Sequence, residues 1–91
     1  DDKEVLAEEM KNLCDNNEVD LILTTGGTGF SKRDNTPEAT LSIAEKLVPG
    51  ISEAIRAYSM QFTKKAMLSR AVSVIRKSTL IINIPYILLR L

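Results

Sequence analysis

The feature that most constrains this chain is a glycine-rich run, Thr24-Thr25-Gly26-Gly27-Thr28-Gly29, set directly behind an apolar stretch at residues 19–23. Near-continuous apolarity between turn-forming residues predicts a short strand covered on both faces, the pattern of a parallel sheet. The carboxyl end of such a strand is where open α/β sheets take their ligands. Lacking Cβ atoms, Gly26, Gly27 and Gly29 let backbone amides turn toward an anion and approach it closely. The hydroxyls of Thr24, Thr25 and Thr28 supply further donors. The run is not a Walker A loop, since no Gly-Lys-Ser/Thr ending follows. Nor is it the dinucleotide fingerprint, because Lys32 stands where a glycine or alanine belongs. By itself the run fits a plain structural turn as well as an anion site.

The flanking pattern predicts the rest of the domain. Asp1 and Glu4 have the spacing of a capping box, and Leu6, Met10 and Leu13 follow at helical intervals, so a first helix should run to Asp15-Asn16-Asn17. Thr36-Pro37 predicts a second helix start, with Thr36 as the cap and Pro37 at the first helical position. Leu41, Ala44 and Val48 would share one face of that helix, and Pro49-Gly50 would end it. Ile51, Ala54, Ile55 and Tyr58 predict a third helix. Residues 63–70 read as a connector with a short helical turn. Residues 71–76 and 79–84 read as strands either side of a turn at Lys77-Ser78. This order predicts an α/β domain with a largely parallel sheet.

Composition narrows the function classes. At 91 residues the chain makes one domain at most. Twelve basic and twelve acidic residues cancel, which counts against a dedicated nucleic-acid binder or a membrane-surface protein. With no histidine, His-based catalysis and His-ligated zinc are excluded. Cys14 lies in an apolar helical pattern and reads as a reduced, buried, inert thiol. The longest apolar run, at residues 80–89, is broken by Asn83 and Pro85 and is too short to span a bilayer. The acidic opening does not resemble a signal peptide, and the expected setting is cytoplasmic.

What gives the glycine run a specific meaning is its continuation, Arg33-Asp34 and then Thr36-Pro37-Glu38-Ala39-Thr40 at fixed distance. Together with Pro49-Gly50, Ala66-Met67-Leu68-Ser69-Arg70-Ala71-Val72, Ile75-Arg76 and Leu80-Ile81-Ile82-Asn83-Ile84-Pro85, it resembles the molybdopterin adenylyltransferases. These share a molybdopterin-binding domain with gephyrin-like proteins. The resemblance implies a three-layer αβα sandwich. It implies transfer of AMP from magnesium-ATP to molybdopterin with release of pyrophosphate. It also implies a homotrimer and, as a further partner, the molybdenum-insertion protein of the same pathway. Measured against the family, residues 1–91 form a single domain without the family's opening strand and C-terminal part. After Pro85 the family's Gly-Ser-Pro-type turn is replaced by Tyr86-Ile87-Leu88-Leu89-Arg90-Leu91.

By the same resemblance, Asp1 and Asp34 are the catalytic candidates, with Asp34 also the magnesium ligand. Thr25, Gly26, Gly27, Thr28, Gly29, Ser69 and Arg70 are the candidates for binding the pterin, Arg70 as a bidentate partner for phosphate. Two carboxylates beside a phosphate make chemical sense with a cation between them. Each assignment has a plainer rival. Asp1 could be only a helix cap, and Asp34 could only accept amides of a nearby turn. Lys32, Arg33 and the pair Lys64-Lys65 read as solvated charges. Met60, Phe62, Met67 and Leu68 read as core or subunit-contact residues, and Pro37 and Glu38 as a helix start. Two alternatives to the enzyme stand: a non-catalytic pterin-binding or scaffold domain, and a nucleotide hydrolase of the competence-damage type.

Overall fold

The computed structural model describes residues 2–85. It contains helices α1 (Lys3–Asp15), α2 (Thr36–Ser42) and α3 (Pro49–Ser59), a short 3-10 helix (Lys64–Leu68), and strands β1 (Leu21–Thr25), β2 (Lys46–Leu47), β3 (Ser73–Arg76) and β4 (Thr79–Ile84).

The α1 cap belongs to Asp2, not to Asp1, which lies outside the described residues. The Asp2 carboxylate accepts the amides of Glu4 at 3.0 Å and Val5 at 3.4 Å, satisfying two donors that a helix start leaves free. At the other end Asn17 takes a left-handed φ of 55°. The Asn17 amide bonds the Cys14 carbonyl and the Glu18 amide bonds the Leu13 carbonyl, which is a Schellman closure. The expected ending at Asp15-Asn16-Asn17 is what forms.

The strands make one sheet in the order β1-β4-β3-β2. The α/β class stands, and the sheet is mixed where a largely parallel one was expected. β1 and β4 run parallel, with Leu21 opposite Leu80 and Thr25 opposite Ile84. β3 runs antiparallel to β4 and to β2. The reason is local: the Lys77-Ser78 turn between Arg76 and Thr79 is too short for a parallel crossover and folds the chain into a hairpin.

Between α2 and α3 the chain departs from helical spacing. The second helix ends at Ser42 and does not run on to Val48. The Glu45 and Val48 amides instead bond the Ile75 and Ser73 carbonyls, so this segment becomes the edge strand β2. Pro49-Gly50 therefore opens α3 and does not end α2, a placement that costs proline nothing because its missing amide would be unpaired there.

Alternation along β3 and β4 separates two faces. Val74 and Ile81, both fully buried, meet Met10 and Cys14 of α1 and Ala39 and Ile43 beside α2 to form the core. Cys14 is buried and free, as expected. On the opposite face α3 packs on β3, and the Ser52 and Ser73 hydroxyls lie 2.9 Å apart. Helices on both faces give the three layers that the resemblance implied. Leu21 and Leu23 of β1, an edge strand, are half exposed on this second face, at 50% and 55%. Among the described residues no helix is long and apolar enough to cross a membrane.

Candidate functional site

The glycine run leaves the parallel seam where β1 and β4 end together. The Gly26 amide donates to the Ile84 carbonyl at 3.1 Å, extending the pairing one residue past β1. Gly26 and Gly27 then take φ of 78° and 72°, which L side chains rarely adopt. Gly27 is also sterically required: a Cβ there would lie 2.0 Å from Thr36 Oγ1. The Thr36 amide donates to the Gly27 carbonyl at 3.1 Å, so the loop's start and the first turn of α2 are tied at one point.

Asp34 closes the far side of the loop. Its Oδ2 accepts the Ser31 amide at 2.9 Å and would meet a Cβ on Gly29 at 2.9 Å. The amide and hydroxyl of Ser31, then the charge of Arg70 and the Gly29 amide, hold the Asp34 carboxyl below its ordinary range, so it is ionised at neutral pH. The turn-accepting role weighed from sequence is real, and it coexists with a place in the cleft wall.

That cleft, of about 280 Å³, is lined by Gly27, Thr28, Gly29 and Asp34 on the loop side, by Lys65, Leu68 and Ser69 opposite, and by Pro85 at the end of β4. Five of the predicted site residues therefore converge: Gly27, Thr28, Gly29, Asp34 and Ser69. Thr25 faces elsewhere, into a second cleft of about 460 Å³ beside α1 that also contains Ile22, Arg33 and Thr36. Gly26 lines neither cleft, its amide being part of the sheet. Asp1 lies outside the described residues.

Arg70 is where the structure departs furthest from the sequence reading. Its guanidinium donates from Nε to the Gly29 carbonyl at 2.7 Å, from NH2 to the Asp34 carbonyl at 2.6 Å, and from NH1 to Glu38 at 2.5 Å. Its own amide donates to the Thr28 carbonyl at 3.1 Å. The fork expected to clasp phosphate instead directs three of its five N–H donors to the loop and to α2. Arg70 acts as a clamp that sets the loop's shape from behind. The Arg70 bond lowers the pKa of Glu38, so the partner beyond the loop is a carboxylate in α2's first turn, not only a helix-start charge. Arg56 anchors the clamp in turn, donating to the Ser69 and Ala71 carbonyls at 2.9 and 3.1 Å.

Two further residues escaped the sequence reading. Asn83, fully buried, donates from Nδ2 to the hydroxyls of Thr24 at 2.9 Å and Thr40 at 3.0 Å, and its Oδ1 accepts the Val72 amide at 3.1 Å. The Thr24 side chain is thus drawn into the interior, and Thr28 is itself buried at 6% exposure. A buried asparagine between isoleucines was the available signal, since such a group needs partners on all sides. Lys65 is exposed as expected of a solvated charge, yet it lines the cleft. Met60, Phe62, Met67 and Leu68 are at least 36% exposed, so none belongs to the core of the described chain.

A glycine-rich loop at the ends of parallel strands, with an ionised aspartate of the same loop in the cleft wall, defines an α/β domain of the kind that takes ligands at its strand ends. Residues 1–85 match the model of a family described as "probable molybdopterin binding domain". The chain belongs to that family. It is 48% identical over 85 residues to the molybdopterin adenylyltransferase of Haemophilus influenzae, covering 93% of this chain and 43% of the relative. The molybdopterin adenylyltransferase of Escherichia coli is 45% identical over 85 residues, with 93% and 44% covered. A molybdopterin biosynthesis protein from Mycobacterium abscessus has the same fold with a TM-score of 0.87 at 36% identity, over 98% of this chain and 58% of that one. The chain spans less than half the length of the two adenylyltransferases.

Proposed function

We propose that this domain binds molybdopterin and contributes to its adenylylation by ATP, releasing pyrophosphate. The observation that carries the reading is the convergence of Gly27, Thr28, Gly29, Asp34 and Ser69 on one cleft, together with relatives named for that activity. Nucleotidyl transfer asks for little covalent chemistry from the protein. It asks for positioning, charge neutralisation and a held cation. The loop amides meet the anionic oxygens, the Ser69 hydroxyl adds a donor, and Leu68 and Pro85 supply apolar wall.

Among the described residues no three acidic, cysteine or histidine side chains cluster as a metal cage. Magnesium in its usual nucleotide mode needs one or two carboxylates, with substrate phosphates and water completing the shell. Asp34 is the carboxylate in the cleft and would be its protein ligand, the ion neutralising charge that builds on the transferring phosphoryl group. Asp1 is the second carboxylate of the reading, Thr25 and Gly26 belong to it as supports of the loop, and Arg70 enters it as the loop's positioning residue. A cytoplasmic homotrimer is the proposed assembly, with the molybdenum-insertion protein as a partner.

The test is direct incubation of the full-length protein with magnesium-ATP and molybdopterin. Adenylylated product is expected. Tight molybdopterin binding without product would favour a scaffold domain, and hydrolysis of a nucleotide-sugar or pyridine nucleotide without pterin affinity would favour the competence-damage type.

A further inference from the structure

We propose that Lys65 is the side chain that neutralises and positions a substrate phosphate in this cleft, the task that sequence reasoning gave to Arg70. The inference rests on the phosphate-ligand reading above and assigns the charge within it.

Four observations carry it. Among the residues lining the cleft, Lys65 is the one base, and it shares that lining with Gly27, Thr28 and Gly29. Each nitrogen of the Arg70 guanidinium already donates one bond, to Gly29, Asp34 and Glu38, three of its five N–H donors. Those bonds fix its orientation toward the loop. Arg33 lines the other cleft. Lys65, by contrast, takes part in neither of the ion pairs found among the described residues, Arg70–Glu38 and Arg76–Asp15.

The backbone beneath Lys65 is fixed while its side chain is not. The Thr63 hydroxyl accepts the Lys65 amide at 3.2 Å, and the neighbouring Ala66 is 1% exposed, pinning the 3-10 turn. A flexible four-carbon stem on a fixed base delivers an ammonium to a phosphate that arrives in more than one pose. Asp34 lines the same cleft, and a carboxylate there disfavours phosphate, which a basic side chain in the same wall offsets.

The phosphate could be the monoester of molybdopterin or the polyphosphate of ATP, and binding measured without turnover separates them. Titrate the full-length protein, its Lys65→Met and its Lys65→Arg variants with inorganic pyrophosphate, a non-hydrolysable ATP analogue and molybdopterin, at two salt concentrations. Lys65→Met should weaken pyrophosphate binding about tenfold to a hundredfold and reduce its salt dependence. Lys65→Arg should restore most of the affinity, which a merely structural role would not predict for an exposed residue. Of the two organic ligands, the one weakened in parallel carries the phosphate that Lys65 meets. Unchanged affinity for all three ligands in Lys65→Met overturns the proposal, as does a wild-type protein with no affinity for pyrophosphate. Loss of affinity in a protein that makes no adenylylated product supports Lys65 and sinks only the adenylylation reading.

Discussion

The Arg70 guanidinium reaches back across 41 residues of chain to donate from Nε to the Gly29 carbonyl at 2.7 Å. The same fork also reaches the Asp34 carbonyl and Glu38, so one side chain fixes the middle of the glycine loop, its end and the following helix. Lysine carries the charge and lacks the planar fork. Arg70→Lys should therefore cut adenylyl transfer at least tenfold while leaving the Lys65-dependent affinity for pyrophosphate nearer to wild type. Transfer rates and pyrophosphate titrations on the same preparations check this. Equal loss in both would return Arg70 to the role of phosphate ligand.

Gly27 carries two separable constraints, a left-handed φ of 72° and a Cβ position 2.0 Å from Thr36 Oγ1. The left-handed backbone costs an alanine about 1–2 kcal/mol, and the collision adds to it. Gly27→Ala should lower Tm by roughly 10 °C or more for a domain of this size. Adding Thr36→Ala removes the hydroxyl and should recover part of that loss. Calorimetry on the single and double variants decides, and no recovery would mean that backbone conformation accounts for the whole effect.

Asp34→Asn keeps an oxygen to accept the Ser31 amide while removing the charge. Molybdopterin binding should persist, and transfer should fall by about a hundredfold or more, in the range of lost electrostatic stabilisation at other active sites. Single-turnover kinetics at saturating molybdopterin measures it. Unchanged transfer would remove Asp34 from the mechanism.

Acid should unfold the domain through its paired carboxylates. Arg70 lowers the pKa of Glu38, and Arg76 lowers that of Asp15 through a paired contact at 2.9 and 3.1 Å. A depressed folded pKa contributes stability that is complete above the unfolded value and lost as pH falls through the folded one. Urea midpoints should hold steady from neutrality to about pH 5 and decline below the ordinary carboxylate range, about pH 4. In Glu38→Gln the decline should be shallower. Parallel curves for the two proteins would mean that the Glu38 pairing contributes no linkage.

Asn83 sits with both ends of its amide engaged in the interior. Asn83→Leu preserves bulk and strands the Val72 amide, at a cost of about 1–3 kcal/mol. Urea unfolding at neutral pH reads the loss, and a neutral outcome would mean that the freed groups find other partners.

How much of this was legible in the sequence depends on range. Local chemistry read well: the Asn17 helix ending, the Lys77-Ser78 turn and the strand at residues 79–84 depend on neighbours in the chain. The turn at Gly26 and Gly27 also read well, because its left-handed backbone favours glycine and is contained in one segment. Misreadings arose where distant partners decide. Residues 45–48 have helical spacing, but the Ile75 and Ser73 carbonyls claim their amides. The resemblance alone made Ser69 and Arg70 a ligand pair, and nothing local reveals that Arg70 donates to Gly29, Asp34 and Glu38. Lys65 is exposed, as a solvated charge should be, and its place in the cleft lining depends on the fold.

The two kinds of seam in the sheet predict an order of assembly. β3 and β4 close across a turn of two residues, whereas Thr24 meets Asn83 over a separation of 59. Closing the longer loop costs more chain entropy and waits on contacts already made. The hairpin should therefore form before the β1–β4 seam. The glycine loop hangs from that seam through Gly26 and Ile84, so the cleft should be the last region to order. It should also be the first to breathe, with the Gly26 amide exchanging its hydrogen sooner than amides along the hairpin. A ligand held in that cleft should slow this exchange, because its contacts would also hold the seam.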